Sequence, residues 1–124
     1  MTERVVSEYK RMLLVKAEEL RAGLAHRDQI TVERSADQLD EIQRAIEREV
    51  IIRNLDSQAM VLRSVTAALS RSDDGSFGVC IRCEAEISPK RLAAVPWAAY
   101  CIECQEIVDR ETLAGEETSE LQTV

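Results

Sequence analysis

Two CxxC pairs constrain the fold of this chain more than any other feature. They are Cys80-Ile81-Arg82-Cys83 and Cys101-Ile102-Glu103-Cys104; seventeen residues separate them, and they hold all four cysteines of the chain. A two-residue gap lets both thiolates of a pair face one point, and a second pair completes a tetrahedron, so this spacing indicates a structural zinc site. Because four protein thiolates leave no coordination position open, the metal would stabilise the fold and would not catalyse a reaction.

Two other uses of the cysteines remain open at this point. Two disulfides would also use an even number of cysteines, but Met1 is followed by Thr2, Glu3 and Arg4 and not by an apolar signal segment. That start favours a reducing compartment. A catalytic dithiol needs only one CxxC pair and usually a βαβ setting, which the sequence lacks. We therefore expect one structural Zn²⁺ per chain, in a cytoplasmic protein that is not an enzyme.

Composition and charge narrow the class of partner. Aromatic residues make up only 3% of the 124 residues and charged residues 31%, which favours long helices over a thick core. The net charge is −7, and residues 71–124, which hold the cysteines, carry 11 acidic and 5 basic groups. An acidic zinc module repels phosphate, so we expect a protein partner and no direct nucleic-acid binding. No apolar run is long enough to span a membrane, and no membrane association is expected.

Apolar periodicity predicts two long helices ahead of the cysteines. The first covers residues 3 to about 26, and the second begins at Ser35, which forms a capping box with Gln38, and ends near Ser70. A helix of about 34 residues is roughly 50 Å long, and only the first helix, folded back antiparallel, matches that length. The predicted seam residues are Val6, Tyr9, Leu13, Lys16, Leu20 and Leu24 in the first helix, and Ile42, Ala45, Ile52, Leu55, Ala59, Leu62, Val65 and Leu69 in the second.

The predicted fold class is therefore mainly α: a long antiparallel, coiled-coil-like helical hairpin plus a small four-cysteine (C4) zinc-finger domain with a C-terminal helix. The hairpin would occupy residues 1–70, with its tip at about 27–37, and the zinc-finger domain residues 71–124. Within the finger we expect a turn over residues 72–76, a helical turn over 90–94, and a helix from Ile102 to about Leu113 that Gly115 ends, followed by a frayed tail. An antiparallel hairpin satisfies its own seam, so a monomer is expected.

A longer motif surrounds the two CxxC pairs. It begins with Phe77-Gly78-Val79-Cys80-Ile81-Arg82-Cys83, continues through Ile87, Arg91-Leu92, Ala94, Pro96 and Ala98, and ends with Cys101-Ile102-Glu103-Cys104-Gln105. This motif, with a long hairpin directly before it, resembles the DksA/TraR-type C4 zinc-finger proteins of bacteria over about residues 3–113. The resemblance implies a transcription regulator that binds bacterial RNA polymerase, inserts its hairpin into the secondary channel and alters initiation without reading DNA.

The resemblance also assigns a role to the hairpin tip. Members of the family carry an Asp-x-x-Asp-x-Ala pattern at the start of the second helix. At the family's spacing from the first cysteine, that pattern falls on Asp37 and Asp40, with Ile42 in the place of alanine. The resemblance implies that these residues meet the polymerase near its catalytic Mg²⁺. A structural explanation stays open, because acids in a first turn stabilise a helix N-terminus by about 0.3–1 kcal/mol.

Two further expectations concern the finger and its partner. Some family members help to bind guanosine tetraphosphate with basic residues near the finger. The matching positions here hold Val95 and Gln105, which do not pair with phosphate as Arg or Lys does, so the response to guanosine tetraphosphate through that site should be weak or absent.

The alternative function is that of a structural adaptor, stabilised by zinc, whose hairpin binds an unrelated protein. We also expect Trp97 and Tyr100 to cover the metal and to join the finger to the hairpin.

Overall fold

The structure is a computed structural model that describes residues 1–25 and 41–122, with the side chains of residues 1–25 and 41–115. These residues form four helices: α1 (Glu3–Ala25), α2 (Glu41–Asp74), α3 (Pro89–Ala94) and α4 (Ile102–Gln122). An isolated antiparallel bridge between Val79 and Glu86 is the only β-pairing in this part of the chain. The predicted mainly α class is confirmed. Among the described helices, none combines the length and the apolar character that crossing a bilayer requires.

Helices α1 and α2 form the predicted antiparallel hairpin. At its base, Lys10 Nζ lies 2.7 Å from Asp73 Oδ1. Further along, a Cβ atom at Gly23 would lie 3.2 Å from Gln58 Oε1, so the residue numbers run in opposite directions along the two helices. The buried seam between them consists of Leu13, Ala17 and Leu20 from α1 and Leu55, Val65 and Ala68 from α2. With 34 residues, α2 is about 50 Å long.

The seam predicted for the distal part of α2 is wrong. Ile42 is 71% exposed and Ile52 46% exposed, and Ala45 is exposed as well. Among the described residues, the buried contacts of α2 begin at Leu55. Leu55 lies beside the last described turn of α1, since Gly23 faces Gln58. The predicted hairpin tip, the Ser35–Gln38 capping box and the start of the second helix lie outside the described residues.

Helix α2 continues four residues beyond its predicted end near Ser70 and stops at Asp74. Gly75 follows with φ +87°, and the N–H groups of Gly75 and Ser76 both donate to the Arg71 carbonyl at 3.1 Å. The Ser76 bond is that of a Schellman motif and the Gly75 bond that of the αL motif, and in both a left-handed glycine closes the helix. The hydroxyl and the N–H of Ser76 donate to the Asp74 carboxylate and lower its pKa. The predicted turn residues thus supply the last helical turn as well as its cap.

The finger and the hairpin base share one hydrophobic core. The rings of Tyr9 and Phe77 lie 5.4 Å apart, which joins α1 to the segment that leads into the first CxxC pair. The cluster includes two of the cysteines and residues from both parts of the chain: Leu13, Ala17, Leu20, Val65, Ala68, Phe77, Cys80, Ile87, Leu92, Ala98 and Cys104. The finger therefore packs on the end of the hairpin, while the division at residue 70 stays a prediction.

The two finger helices begin where the sequence predicts. Ser88 caps α3 by accepting the Arg91 N–H at 3.2 Å, and Pro89 occupies its first turn. Helix α4 begins at Ile102, as expected, but runs through Gly115 to Gln122, so the predicted end at Gly115 is wrong. A glycine inside a helix costs about 1 kcal/mol relative to alanine, which weakens a helix without ending it.

Candidate metal centre

The first CxxC pair lies in a tight turn closed by backbone hydrogen bonds. The Cys80 N–H donates to Ala85 O at 2.8 Å, and the Glu84 N–H donates to Cys80 O at 3.0 Å. Gly78 adopts the left-handed φ of +84°, and its carbonyl accepts the Ile87 N–H at 2.8 Å. Glu84 also adopts a left-handed conformation, with φ +63°. The chain therefore reverses direction within five residues and turns both thiols of the pair to one side.

The second pair lies at the N-terminus of α4. Cys101 precedes the helix, and its sulfur accepts the Cys104 N–H at 3.5 Å while its carbonyl accepts the Gln105 N–H at 2.9 Å. The two turns are joined directly, because the Ile81 N–H donates to Ala99 O at 2.9 Å. The fold thus places a helical start opposite a backbone turn, and each supplies two sulfur atoms.

The four cysteine sulfurs have the spacing of a tetrahedral metal site. The Sγ atoms of Cys80, Cys83, Cys101 and Cys104 all lie within 4.8 Å of one another. The Sγ atoms of Cys83 and Cys101 are 3.8 Å apart, and a tetrahedron with Zn–S bonds of about 2.3 Å has edges of about 3.8 Å. A disulfide would bring two sulfurs to about 2.05 Å. All four thiols are free, so the geometry fits zinc and does not fit disulfides.

The electrostatics of the cluster also call for a cation. Burial, and after it the three neighbouring cysteines, raise the pKa of the Cys104 thiol to about 12. Burial opposes ionisation of Cys80 too, but backbone N–H groups around it outweigh that effect and lower its pKa to about 6. Four sulfurs this close do not all ionise unless a positive ion lies between them. A single structural Zn²⁺ supplies that charge and closes its coordination shell with protein ligands alone.

The polar side chains around the four cysteines form hydrogen bonds and ion pairs within the finger. Arg91 Nε donates to Tyr100 O at 2.8 Å, and its terminal nitrogen donates to Gln105 Oε1 at 3.3 Å. Arg82 pairs with Glu111 at 3.4 Å. Gln105 in turn donates to Asp109 at 3.0 Å, so the amide at this position is part of the finger's own network.

The expected aromatic joint between finger and hairpin is present. Trp97 and Tyr100 both pack against the shared core. Lys16 Nζ lies 5.9 Å from the centre of the Trp97 ring, which connects α1 to the segment before the second cysteine pair. Arg71 of α2 donates to Trp97 O and Ala98 O, a role that was not predicted from the sequence.

The predicted tip residues are far from the metal centre in sequence, and only one of them is described. Ile42 lies in the first turn of α2, at the opposite end of that helix from the finger, and its side chain is 71% exposed. Asp37 and Asp40 lie outside the described residues. Their role at the tip stays a prediction.

Comparison with known proteins agrees with this geometry. Residues 75–110 match the family model of the prokaryotic dksA/traR C4-type zinc finger. This segment is a DksA/TraR-type C4 zinc finger. The matched range contains both CxxC pairs and α3, and the resemblance to the DksA/TraR family predicted from the sequence is confirmed.

Similarity extends beyond the finger. The RNA polymerase-binding transcription factor DksA of Salmonella typhimurium is 29% identical over 112 residues, which cover 88% of this chain and 74% of that protein. An uncharacterized protein of Aquifex aeolicus is 40% identical over 65 residues. These residues cover 52% of this chain and 45%, less than half, of that relative. The solved structure of DksA2 from Pseudomonas aeruginosa superimposes with a TM-score of 0.71 at 23% identity, covering 86% of this chain and 84% of that one. That likeness establishes the shared fold.

Proposed function

We propose that this chain binds bacterial RNA polymerase and regulates transcription initiation. The observation that carries the proposal is the extent of its similarity to a factor named for polymerase binding, the DksA of Salmonella typhimurium. The aligned 112 residues cover 88% of the chain, so they include the hairpin as well as the finger. If the zinc finger served only to stabilise the chain, the similarity would not need to extend over the hairpin. The chain acts as a cytoplasmic binding protein, not as an enzyme, and as a monomer.

The proposed mechanism uses the hairpin as a lever that enters the secondary channel of the polymerase. Helix α2 is about 50 Å long, and its base is fixed to the finger through a common core. Asp37 and Asp40 at the tip would then lie near the catalytic Mg²⁺ of the polymerase and change the electrostatic field around it. The net charge of −7 disfavours direct contact with DNA, which agrees with an effect exerted through the protein.

Ile42 is proposed to make this chain's tip differ from that of its relatives. It stands where the family pattern has alanine, and 71% of its side chain is exposed. A β-branched side chain of this size adds apolar area to the surface that faces the channel. We expect Ile42→Ala to change the extent of regulation while leaving the fold intact, since an exposed side chain contributes little to packing.

The test uses purified bacterial RNA polymerase, a binding assay and in vitro transcription from a stable-RNA promoter. The wild-type chain should bind the polymerase and change the amount of transcript. The double variant Asp37→Asn/Asp40→Asn should bind but lose most of the effect on transcription, because it keeps the size of both side chains and removes their charge. Asp56→Asn is the matched control, since it removes an exposed carboxylate from α2 away from the tip.

The outcomes separate the proposal from the adaptor alternative. If neither the wild type nor the variants bind the polymerase, the chain is an adaptor for another protein. If the double variant regulates as well as the Asp56→Asn control, the tip carboxylates have no role in the mechanism. Guanosine tetraphosphate should add little through the finger, because Val95 and Gln105 provide no cation and Gln105 already bonds Arg91 and Asp109.

A further inference from the structure

Four consecutive backbone carbonyls lead into the second pair of zinc ligands, and each accepts a hydrogen bond from a donor outside the segment. Trp97 O and Ala98 O accept from the Arg71 guanidinium at 3.5 and 3.4 Å. Ala99 O accepts from the Ile81 N–H at 2.9 Å, and Tyr100 O accepts from Arg91 Nε at 2.8 Å. Cys101 follows immediately. This irregular segment, residues 97–100, has no helix or strand of its own to hold it in place.

The donors divide between the two parts of the molecule. Ile81 belongs to the first cysteine turn and Arg91 to α3, so both are finger residues. Arg71 belongs to the hairpin, and its own backbone is fixed, since its carbonyl accepts the Gly75 and Ser76 N–H groups at the end of α2. Its half-buried side chain therefore extends from a rigid helix end to residues 97 and 98.

A second hairpin residue reaches the same segment from the other helix. Lys16 Nζ of α1 lies 5.9 Å from the centre of the Trp97 ring, within the range of a cation–π contact. Trp97 is thus held through its carbonyl by α2 and through its ring by α1. The position of the segment before Cys101 depends on both helices of the hairpin.

We propose that Arg71 is a positioning residue for the zinc centre: it holds residues 97–100 against the hairpin and so presets Cys101 and Cys104 opposite Cys80 and Cys83. A preset second pair binds zinc without first ordering the segment that carries it. Loss of a group that hydrogen-bonds a ligand directly weakens metal affinity about 10–100-fold. Arg71 bonds the chain three and four residues before Cys101, so its loss should fall near the lower end of that range. The proposal does not depend on which protein the hairpin binds.

The experiment compares zinc retention in the full-length zinc-loaded chain and three variants: Arg71→Gln, Arg71→Lys and Arg53→Gln. Competition with a coloured zinc chelator should show an affinity at least about tenfold lower for Arg71→Gln. Both bonds come from one terminal guanidinium nitrogen. Arg71→Lys keeps the charge and the aliphatic stem but places its nitrogen on a shorter side chain without the planar group, and should lie between the wild type and Arg71→Gln. Arg53→Gln removes an exposed arginine that pairs with Glu49 on the same helix, and should match the wild type.

A second readout separates positioning from general loss of stability. Thiol alkylation of the zinc-loaded proteins, followed by trypsin digestion and mass spectrometry, places Cys80, Cys83 and the Cys101–Cys104 pair on three different peptides, because cleavage sites follow Arg82, Lys90 and Arg91. Arg71→Gln should increase alkylation of the Cys101–Cys104 peptide more than that of the other two. Equal increases at all cysteines, or zinc affinity within about twofold of the wild type, would overturn the proposal. If Arg71→Gln does not fold, the same two criteria apply to Arg71→Lys.

Discussion

The rings of Tyr9 and Phe77 lie 5.4 Å apart with their planes inclined by 40°, so the first helix contacts the residue that leads into the zinc finger. Phe77 is 5% exposed and belongs to the same buried cluster as Cys80 and Leu13. Removing its ring would leave a cavity at the junction of hairpin and finger. We expect Phe77→Ala to lower the free energy of unfolding by about 3–5 kcal/mol, measured by urea denaturation of the zinc-loaded protein.

Met60→Ala is the control for that measurement. Met60 is a large apolar residue of α2 that is 61% exposed, so its truncation should change the free energy of unfolding by less than about 0.5 kcal/mol. A loss below about 1 kcal/mol for Phe77→Ala would mean that the finger folds without support from the hairpin.

Removal of zinc should unfold the finger and weaken the base of the hairpin. Two of the ligands, Cys80 and Cys104, are buried in the shared core. Loss of the metal would leave their thiols without a ligand and would disorder the side chains that pack around them. Zinc binding in comparable sites contributes apparent free energies of about 10–16 kcal/mol at pH 7. We expect strong chelation, or Cys80→Ser, to lower the thermal midpoint and the helical circular dichroism signal.

Zinc binding also fixes the sign of the pH dependence of stability. Zinc binds thiolates, and protons compete for them, so zinc affinity and thermal stability should both fall as the pH is lowered. Elemental analysis of the purified protein should find one zinc per chain at neutral pH. Unchanged helicity and thermal midpoint after complete chelation would contradict a structural role for the metal.

Glu84 provides a test of backbone strain in the first cysteine turn. Its φ of +63° is left-handed, which costs a residue with a side chain about 1–2 kcal/mol. Glycine avoids that cost but loses about 0.5–1 kcal/mol in conformational entropy. Glu84→Gly should therefore raise the free energy of unfolding of the zinc-loaded protein by up to about 1.5 kcal/mol.

Glu86→Gly is the matched comparison for Glu84→Gly. Both glutamates are exposed and two residues apart, but Glu86 lies in the bridge to Val79 and does not share the positive φ. Its replacement by glycine should lower the stability. If both glycine variants lose stability, the turn is not strained at Glu84.

The parts of the fold that sequence predicts best are those set by local pattern. Leu13, Leu20, Leu55 and Val65 repeat at helical spacing, and each is buried as expected. The pattern did not distinguish buried from exposed positions along α2. Ile42 continues the apolar repeat of α2, yet 71% of its side chain is exposed, since periodicity marks one face of a helix and not whether a neighbour covers it.

The metal centre was likewise predicted from the sequence only in part. Spacing alone predicted that the four cysteines come together, because two CxxC turns have few other ways to satisfy their thiols. Arg71 was not predicted, since its partners are carbonyls of residues 97 and 98, and carbonyls carry no sequence signature. The left-handed Glu84 was equally hidden, because glutamate does not indicate a positive φ as glycine does.

Gly115 and Gly75 allow the effect of a glycine inside a helix on stability to be compared with that of a glycine at a helix end. At both positions a Cβ atom would meet no described atom within 4 Å, so an added methyl group has space at each. Gly75 has φ +87° at the end of α2, whereas Gly115 lies inside α4. Alanine should thus be unfavourable at residue 75, where the backbone is left-handed, and favourable by about 1 kcal/mol at residue 115, where it is helical.

Circular dichroism and amide hydrogen exchange measure the two effects separately. Gly115→Ala should increase the helical signal and slow exchange at residues 111–115, because it removes the weakest helix former from that stretch. Gly75→Ala should lower the free energy of unfolding, since it strains the cap that also fixes the Arg71 carbonyl. Faster exchange around residue 115 in Gly115→Ala would mean that α4 ends before Gly115, as the sequence alone had indicated.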